Sequence, residues 1–535
     1  MMEKMKRAIL ALWIVSCMIG ASWAAEREIV FDLGSEPQTI DPALSHALNS
    51  MNVVENIFEG LVRIGADSRP EAGCAESWEV SEDGLSWTFH LRDGLKWSDG
   101  RPLVAEDFRY GFLRALDPAV AAPYAELAFV IKGGEAFFKG EAKEEDVGIA
   151  VVDDRTLRLD LERSSPMLLQ YLAFTLFRPA RRDVVEADPR GWATKPETLV
   201  SNGPFKLDGW RRGEGGEIVL AKDPHWYGAD GVKIDRVRLA FITDRNTALA
   251  AFKSGRLDWL DGLPPQMAPQ LLSSGEAKVL PSMGTEFCRF NTSRPPFDDA
   301  RVRRAFSLAI DRKAIVEKLL QGGQRPAAGL VPYVVPGGGS GKDFRAEVGP
   351  LLPEEADVSE ARRLMAEAGY PDGQGFPAVA YKYNSTSNNK ILAEALQAMW
   401  KDVLGVEVGL LNEEWKVYVV SRREMDFDIA RSSWVMDFLD AANILELFTS
   451  SSHQNYTGYG RAAYDDLITN ASREMDPSAR AALLRLAEQI LIEDMPVAPI
   501  YFYAKAVMQS SRARGICMTL YDRVYFRDAE VVEGR

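Results

Sequence analysis

Histidine and cysteine are scarce in this chain, four of each in 535 residues. His46, His90, His225 and His453 are far apart and form no His-Glu-x-x-His pair, so no dedicated metal site is expected. Cys17 falls in an amino-terminal leader, which leaves Cys74, Cys288 and Cys517. Three thiols cannot build a disulfide framework; at least one stays unpaired in a monomer, and a single bridge is the maximum. Apolar runs of membrane-spanning length, about 20 residues, are also missing past the leader. There is no internal repeat. Basic residues are outnumbered, 63 against 78, for a net charge of −15. A surface this acidic repels nucleic acid and anionic membrane.

Recognisable catalytic motifs are missing too. Gly341-Lys342 suggests a phosphate loop, but Asp343 replaces the required Ser or Thr and Pro336 takes the leading glycine position. A G-x-S-x-G elbow fails there because Lys342 fills its last position. The carboxylate pairs Asp153-Asp154 and Asp298-Asp299 sit where turns and helix caps are predicted, and backbone capping accounts for them better than acid–base chemistry. The competing class, an exported hydrolase of peptides or glycans, thus lacks both a nucleophile and a metal signature. No cofactor is expected.

What is present begins with an export signal. Lys4, Lys6 and Arg7 precede the apolar stretch Ala8 to Ile19, and small residues around Ser22 and Ala24 offer a cleavage site. Residues 1–24 are therefore expected to be a signal peptide. Ile14-Val15-Ser16-Cys17 also fits a lipoprotein box, with Cys17 as the lipidated residue. The apolar residues after it (Met18, Ile19, Trp23) depart from a polar tether, so the soluble exported form is favoured.

The body has ordinary globular composition, 46% hydrophobic and 26% charged, at a length suiting two or three domains. Ile29 to Phe31, Ser86 to Arg92, Ile218 to Ala221 and Val237 to Phe241 read as strands, and Val151 to Leu161 as a hairpin around Asp153-Asp154. Helices are predicted over Val53–Leu61, Glu106–Leu116, Asp299–Ile310, Asp311–Leu320, Ser359–Ala368, Asn389–Leu404 and Ser478–Ile492, with Asp299 as a cap and Gly369 as a stop. This mixture argues an α/β protein with more than one sheet.

One stretch is far more specific. Ala75-Glu76-Ser77-Trp78, then Asp83-Gly84-Leu85-Ser86-Trp87-Thr88-Phe89-His90-Leu91-Arg92-Asp93-Gly94-Leu95-Lys96-Trp97-Ser98-Asp99-Gly100, then Ala105-Glu106-Asp107-Phe108 closely resembles the signature of the bacterial extracellular solute-binding proteins, family 5. That family takes oligopeptides, dipeptides and nickel. Gly34-Ser35-Glu36-Pro37, Phe58-Glu59-Gly60-Leu61, Ser201-Asn202-Gly203-Pro204-Phe205, Pro296-Phe297-Asp298-Asp299, Ala309-Ile310-Asp311-Arg312 and Pro496 to Tyr503 match in the same order. The resemblance covers essentially the whole mature chain and is strongest to the oligopeptide-binding branch.

It implies a periplasmic binding protein-like α/β fold of type II with the three-domain cluster C architecture, two lobes closing about a hinge. Domain I would be 26–58, 181–283 and 505–535, domain II 59–180 and domain III 284–504. It further implies a periplasmic, monomeric, non-enzymatic receptor that captures short peptides and passes them to ABC importer permease subunits. Dipeptide, murein peptide or chelated nickel are the alternative cargoes, and sensing is compatible with the same design.

The resemblance also marks ligand residues. In Trp434-Val435-Met436-Asp437-Phe438, Asp437 falls on the carboxylate that grips the peptide amine. Charge-assisted bonds of this kind are worth about 1.5–3 kcal/mol. Trp434, Trp415, Tyr124, Tyr503 and Asn384 match lining positions, and Arg422 and Arg431 match positions suited to the carboxylate end. Phe287 stands where a hydroxylated ring is common, and His46 where an acid is. The branch's two disulfide positions fall on Gly284 and Val435, so that bridge is absent.

Overall fold

The computed structural model describes residues 26–338 and 341–532. The leader and Cys17 lie outside the described residues. The largest feature is a mixed sheet of eleven strands among the described residues. Its order runs Val408–Glu413, Val379–Asn384, Ile429–Val435, Lys278–Phe290, Val497–Gln509, Trp259–Asp261, Glu28–Asp32, Arg236–Ala240, Glu217–Lys222 and Phe205–Arg211, with Arg325–Pro326 pairing onto Val497–Gln509. A separate antiparallel sheet holds Ala75–Val80, Ser86–Leu91, Thr156–Asp160 and Ile149–Asp153 in that order. Its last two strands are the predicted hairpin, and Asp153 accepts the Arg155 N–H at 2.8 Å to close the turn.

Two large groups of buried apolar side chains underlie these layers. One gathers Ile29 to Phe241 with Val507 to Ala529, so the carboxyl-terminal segment packs into the amino-terminal core. The other gathers Met283 to Ile500. Two long strands, Lys278–Phe290 and Val497–Gln509, run from one group into the other side by side. Their register shifts between Pro281 and Thr285, at the point of crossing.

Most predicted helices form where their caps place them. Asp299 accepts the Arg301 N–H at 2.8 Å and starts Ala300–Leu308; Gly369, at φ 95, follows Val358–Glu367. The helix predicted at Val53–Leu61 forms instead at Leu48–Ile57, and Phe58 is already extended. Ser50 to Ile57 are all buried, so the segment has no polar face for a periodic pattern to reveal. Asn56 fixes it by donating to the Val524 carbonyl at 2.7 Å. The three described cysteines are all free thiols: Cys74 lies in the first core and Cys288 in the second, and Cys517 is half-buried.

Candidate functional site

The strand Ile429–Val435 ends at the site, and its two edges are unlike. Along one it pairs antiparallel with Lys278–Phe290, Gly284 opposite Val435 and Phe290 opposite Ile429. The Met436 N–H extends that ladder to the Met283 carbonyl at 3.0 Å. In an antiparallel ladder a residue's N–H and C=O point the same way and alternate along the strand. Even-numbered residues therefore face Lys278–Phe290, and odd-numbered ones face outward. On the outer edge Ile429 and Ala430 lie beside Tyr381 and Lys382, and the Arg431 carbonyl accepts the Tyr418 hydroxyl. Beyond Arg431 that edge has no strand neighbour among the described residues, and the outward backbone groups of Ser433 and Val435 stay free.

This free edge leads into Asp437. Asn443 pins the turn: its Oδ1 accepts the Trp434 indole N–H at 2.9 Å and the Asp437 N–H at 3.2 Å. The Asp437 side chain is reached by solvent yet ringed by protein atoms, as at the floor of a cleft. Burial raises its pKa above the usual carboxylate range, and the Arg523 guanidinium opposes that shift. The Tyr124 hydroxyl is pushed up by burial and then by Asp437. Tyr124 stacks edge-on to Phe174 at 4.7 Å, Phe174 lies 6.5 Å from Phe438, and Phe438 lies 5.0 Å from Tyr171. The Leu439 N–H donates to Gln170 Oε1 and to the Tyr521 hydroxyl, each at 3.1 Å. Three remote parts of the chain thus meet at Trp434–Leu439.

A second cluster stands on the same strand. Arg431 reaches Glu286 with two prongs, at 2.6 and 2.5 Å, and the Tyr503 hydroxyl donates to the same carboxylate at 2.6 Å. Glu286 is fully buried; burial pulls the Arg431 pKa down, but Glu286 outweighs it and the guanidinium is held charged. Asn384 lies 3.5 Å from the same guanidinium. The structure therefore brings Arg431, Tyr503 and Asn384 together around a carboxylate, with Arg431 already paired.

The helix Trp415–Arg423, started by Glu414 accepting the Lys416 N–H, puts Trp415, Tyr418 and Arg422 on one face. Trp415 is half exposed, at 51%. Arg422 lies over Tyr418 and Tyr456, at 5.8 and 5.6 Å, and its buried Nε has no partner among the described residues. Phe287 is enclosed on the opposite face of its strand, 6.0 Å from Phe448. His46 is exposed and lines a separate hollow of about 640 Å³ with Asp32, Glu36 and Asp261. Val435 and Tyr503 line another, of about 650 Å³, with Arg245 and Lys505.

Glu286, Asn443, Gln170, Phe174, Tyr521 and Arg523 were not singled out from sequence. All but Asn443 touch the site through contacts between distant segments, for which no local spacing gives a signal. The two positions matched to the family's bridge, Gly284 and Val435, lie directly opposite each other. A Cβ at Gly284 would collide with the Tyr503 ring, which fills the space beside it.

Residues 69–456 match the family model described as bacterial extracellular solute-binding proteins, family 5. The oligopeptide-binding protein OppA of Bacillus subtilis is 36% identical over 507 residues, 93% of this chain and 91% of that one. The periplasmic murein peptide-binding protein MppA of Escherichia coli is 34% identical over 490 residues, 90% and 89% of the two chains. Among solved structures, the unliganded open form of MppA superposes with a TM-score of 0.86 at 32% identity, covering 96% of this chain and 98% of that one. A second structure of the same E. coli protein gives 0.72. Haemophilus influenzae OppA in complex with RPPGFSPFR gives 0.70 at 30% identity, over 95% and 99% of the chains.

Proposed function

Because this chain belongs to the bacterial extracellular solute-binding proteins of family 5, a family of binding proteins rather than enzymes, we propose that it captures short peptides between two lobes and delivers them to an ABC importer. The observation that carries this reading is a free strand edge ending in an unpaired carboxylate. An extended peptide can add to such an edge, its main chain bonding to Ser433 and Val435 regardless of sequence. The edge then leads its cationic amine to Asp437. The aromatic side chains around Asp437 give contact area without demanding one particular partner.

Arg431 is spent on Glu286 in this arrangement, so Arg422 is the better-placed guanidinium for the carboxylate end. The lobes would be domains I and II against domain III, divided as the sequence implies. Export by the leader and a monomeric state complete the proposal. Micromolar binding requires about 8 kcal/mol, within reach of several backbone bonds, one amine–carboxylate pair and the aromatic contacts. Calorimetric titration of Asp437→Ala with tripeptides to pentapeptides should show affinity reduced about ten- to a hundred-fold, with an unchanged circular dichroism spectrum. Unchanged affinity refutes the anchor. Native mass spectrometry of the purified protein separates peptide from dipeptide, murein peptide or chelated nickel as cargo.

A further inference from the structure

Beside Asp437 sits a cation for which the peptide reading has no use so far. Arg523 lies on the carboxyl-terminal segment, its guanidinium 5.8 Å from the centre of the Phe174 ring. Phe174 packs against Tyr124 and Phe438, the residue next to Asp437. Two other acids near Arg523, Glu55 and Asp522, hold other partners. Glu55 binds Arg178 at 2.6 Å and the Tyr525 hydroxyl at 3.1 Å, and Asp522 holds Lys505 at 2.8 Å. Among the described residues the Arg523 guanidinium has no hydrogen bond and no carboxylate at ion-pair distance. Burial opposes its charge, but a guanidinium does not give up its proton in a protein. It is therefore a desolvated, unpaired positive charge, linked to Asp437 through Phe174 and Phe438 and close enough to act on its carboxylate.

We propose that Arg523 is a specificity residue, reading the first side chain of a bound peptide and favouring an acidic one over a basic one. The proposal rests on the amine binding at Asp437, which puts the first Cα and its side chain within a few ångströms of the carboxylate. A carboxylate in that position would gain the partner that Arg523 lacks. A lysine or arginine there would face a like charge where water is partly excluded. Such a difference is enough for about tenfold discrimination or more.

The test uses three peptides, Glu-Ala-Ala, Ala-Ala-Ala and Lys-Ala-Ala, titrated into the mature protein freed of retained ligand. With the native receptor, the Glu peptide should bind at least about tenfold tighter than the Lys peptide, and the ratio should shrink as salt is raised. Arg523→Gln should bring the ratio to about one; Arg523→Lys should keep the order. An absent order in the native receptor, or one that persists in Arg523→Gln, overturns the proposal. If Arg523→Gln does not fold, the native order and its salt dependence decide. Failure of the anchor reading looks different: Ala-Ala-Ala then binds Asp437→Ala as well as the native receptor, or binds neither.

Discussion

Asp437 has to be charged to hold an amine, yet its surroundings disfavour that charge while the cleft is empty. Burial raises its pKa, Arg523 only partly offsets this, and the nearest backbone donor, its own N–H, is turned to Asn443. An arriving ammonium stabilises the carboxylate, so the bound form has the lower pKa. The sign follows: affinity is full above the pKa of the empty receptor and falls as pH drops through it towards the pKa of the complex. Peptide affinity measured against pH should begin to fall above the range of an ordinary aspartate, and Asp437→Asn should lose that dependence. At this scale the sequence pointed to Asp437 and Trp434 because they share a five-residue motif; Asn443, six residues on, had no pattern to mark it. Glu286 was not legible, because its partner Arg431 is 145 residues away and nothing near Glu286 announces it.

The strand Ile429–Val435 is an element with a job on each edge. Its inner ladder to Lys278–Phe290 holds it in the sheet, while its outer edge beyond Arg431 is unpaired. Unpaired edges are normally blunted by charge, proline or a cover; this one ends in the cleft. Val435 allows the two jobs to be separated, because its N–H faces outward and contributes nothing to the inner ladder. Val435→Pro removes one outward donor, and proline is tolerated on an edge. Peptide affinity should fall about fivefold, the worth of one backbone bond, with the urea midpoint nearly unchanged. Val435→Ala should bind as the native protein does. Helices started by a side-chain cap, such as Ala300–Leu308 behind Asp299, were legible because capping is local chemistry. Leu48–Ile57 was misplaced because its burial is complete and its fixing bonds come from Val524, some 470 residues away.

At the scale of the molecule, the two core groups are joined by two neighbouring strands whose register shifts at the crossing. That is a narrow connection for so large a chain, suited to hinge motion of one lobe on the other. The superposition is better with an unliganded open relative than with another structure of the same relative, 0.86 against 0.72. Saturating peptide should therefore reduce the radius of gyration measured by small-angle X-ray scattering, and Asp437→Ala should not contract at the same peptide concentration. An unchanged radius in the native protein would refute closure. The return of residues 507–529 to the first core had no signal in periodicity, which describes neighbours along the chain and says nothing of which segments share a core.

The Tyr503 ring beside Gly284 has one more consequence. Where the branch often staples two adjacent strands at the binding site, this chain fills the same place with a side chain that also hydrogen-bonds Glu286. All three described cysteines are free thiols, and the nearest to that seam, Cys288, sits buried on the same strand opposite Arg431. Among the described residues no disulfide ties the two strands, so at this seam a reducing environment has no bond to break.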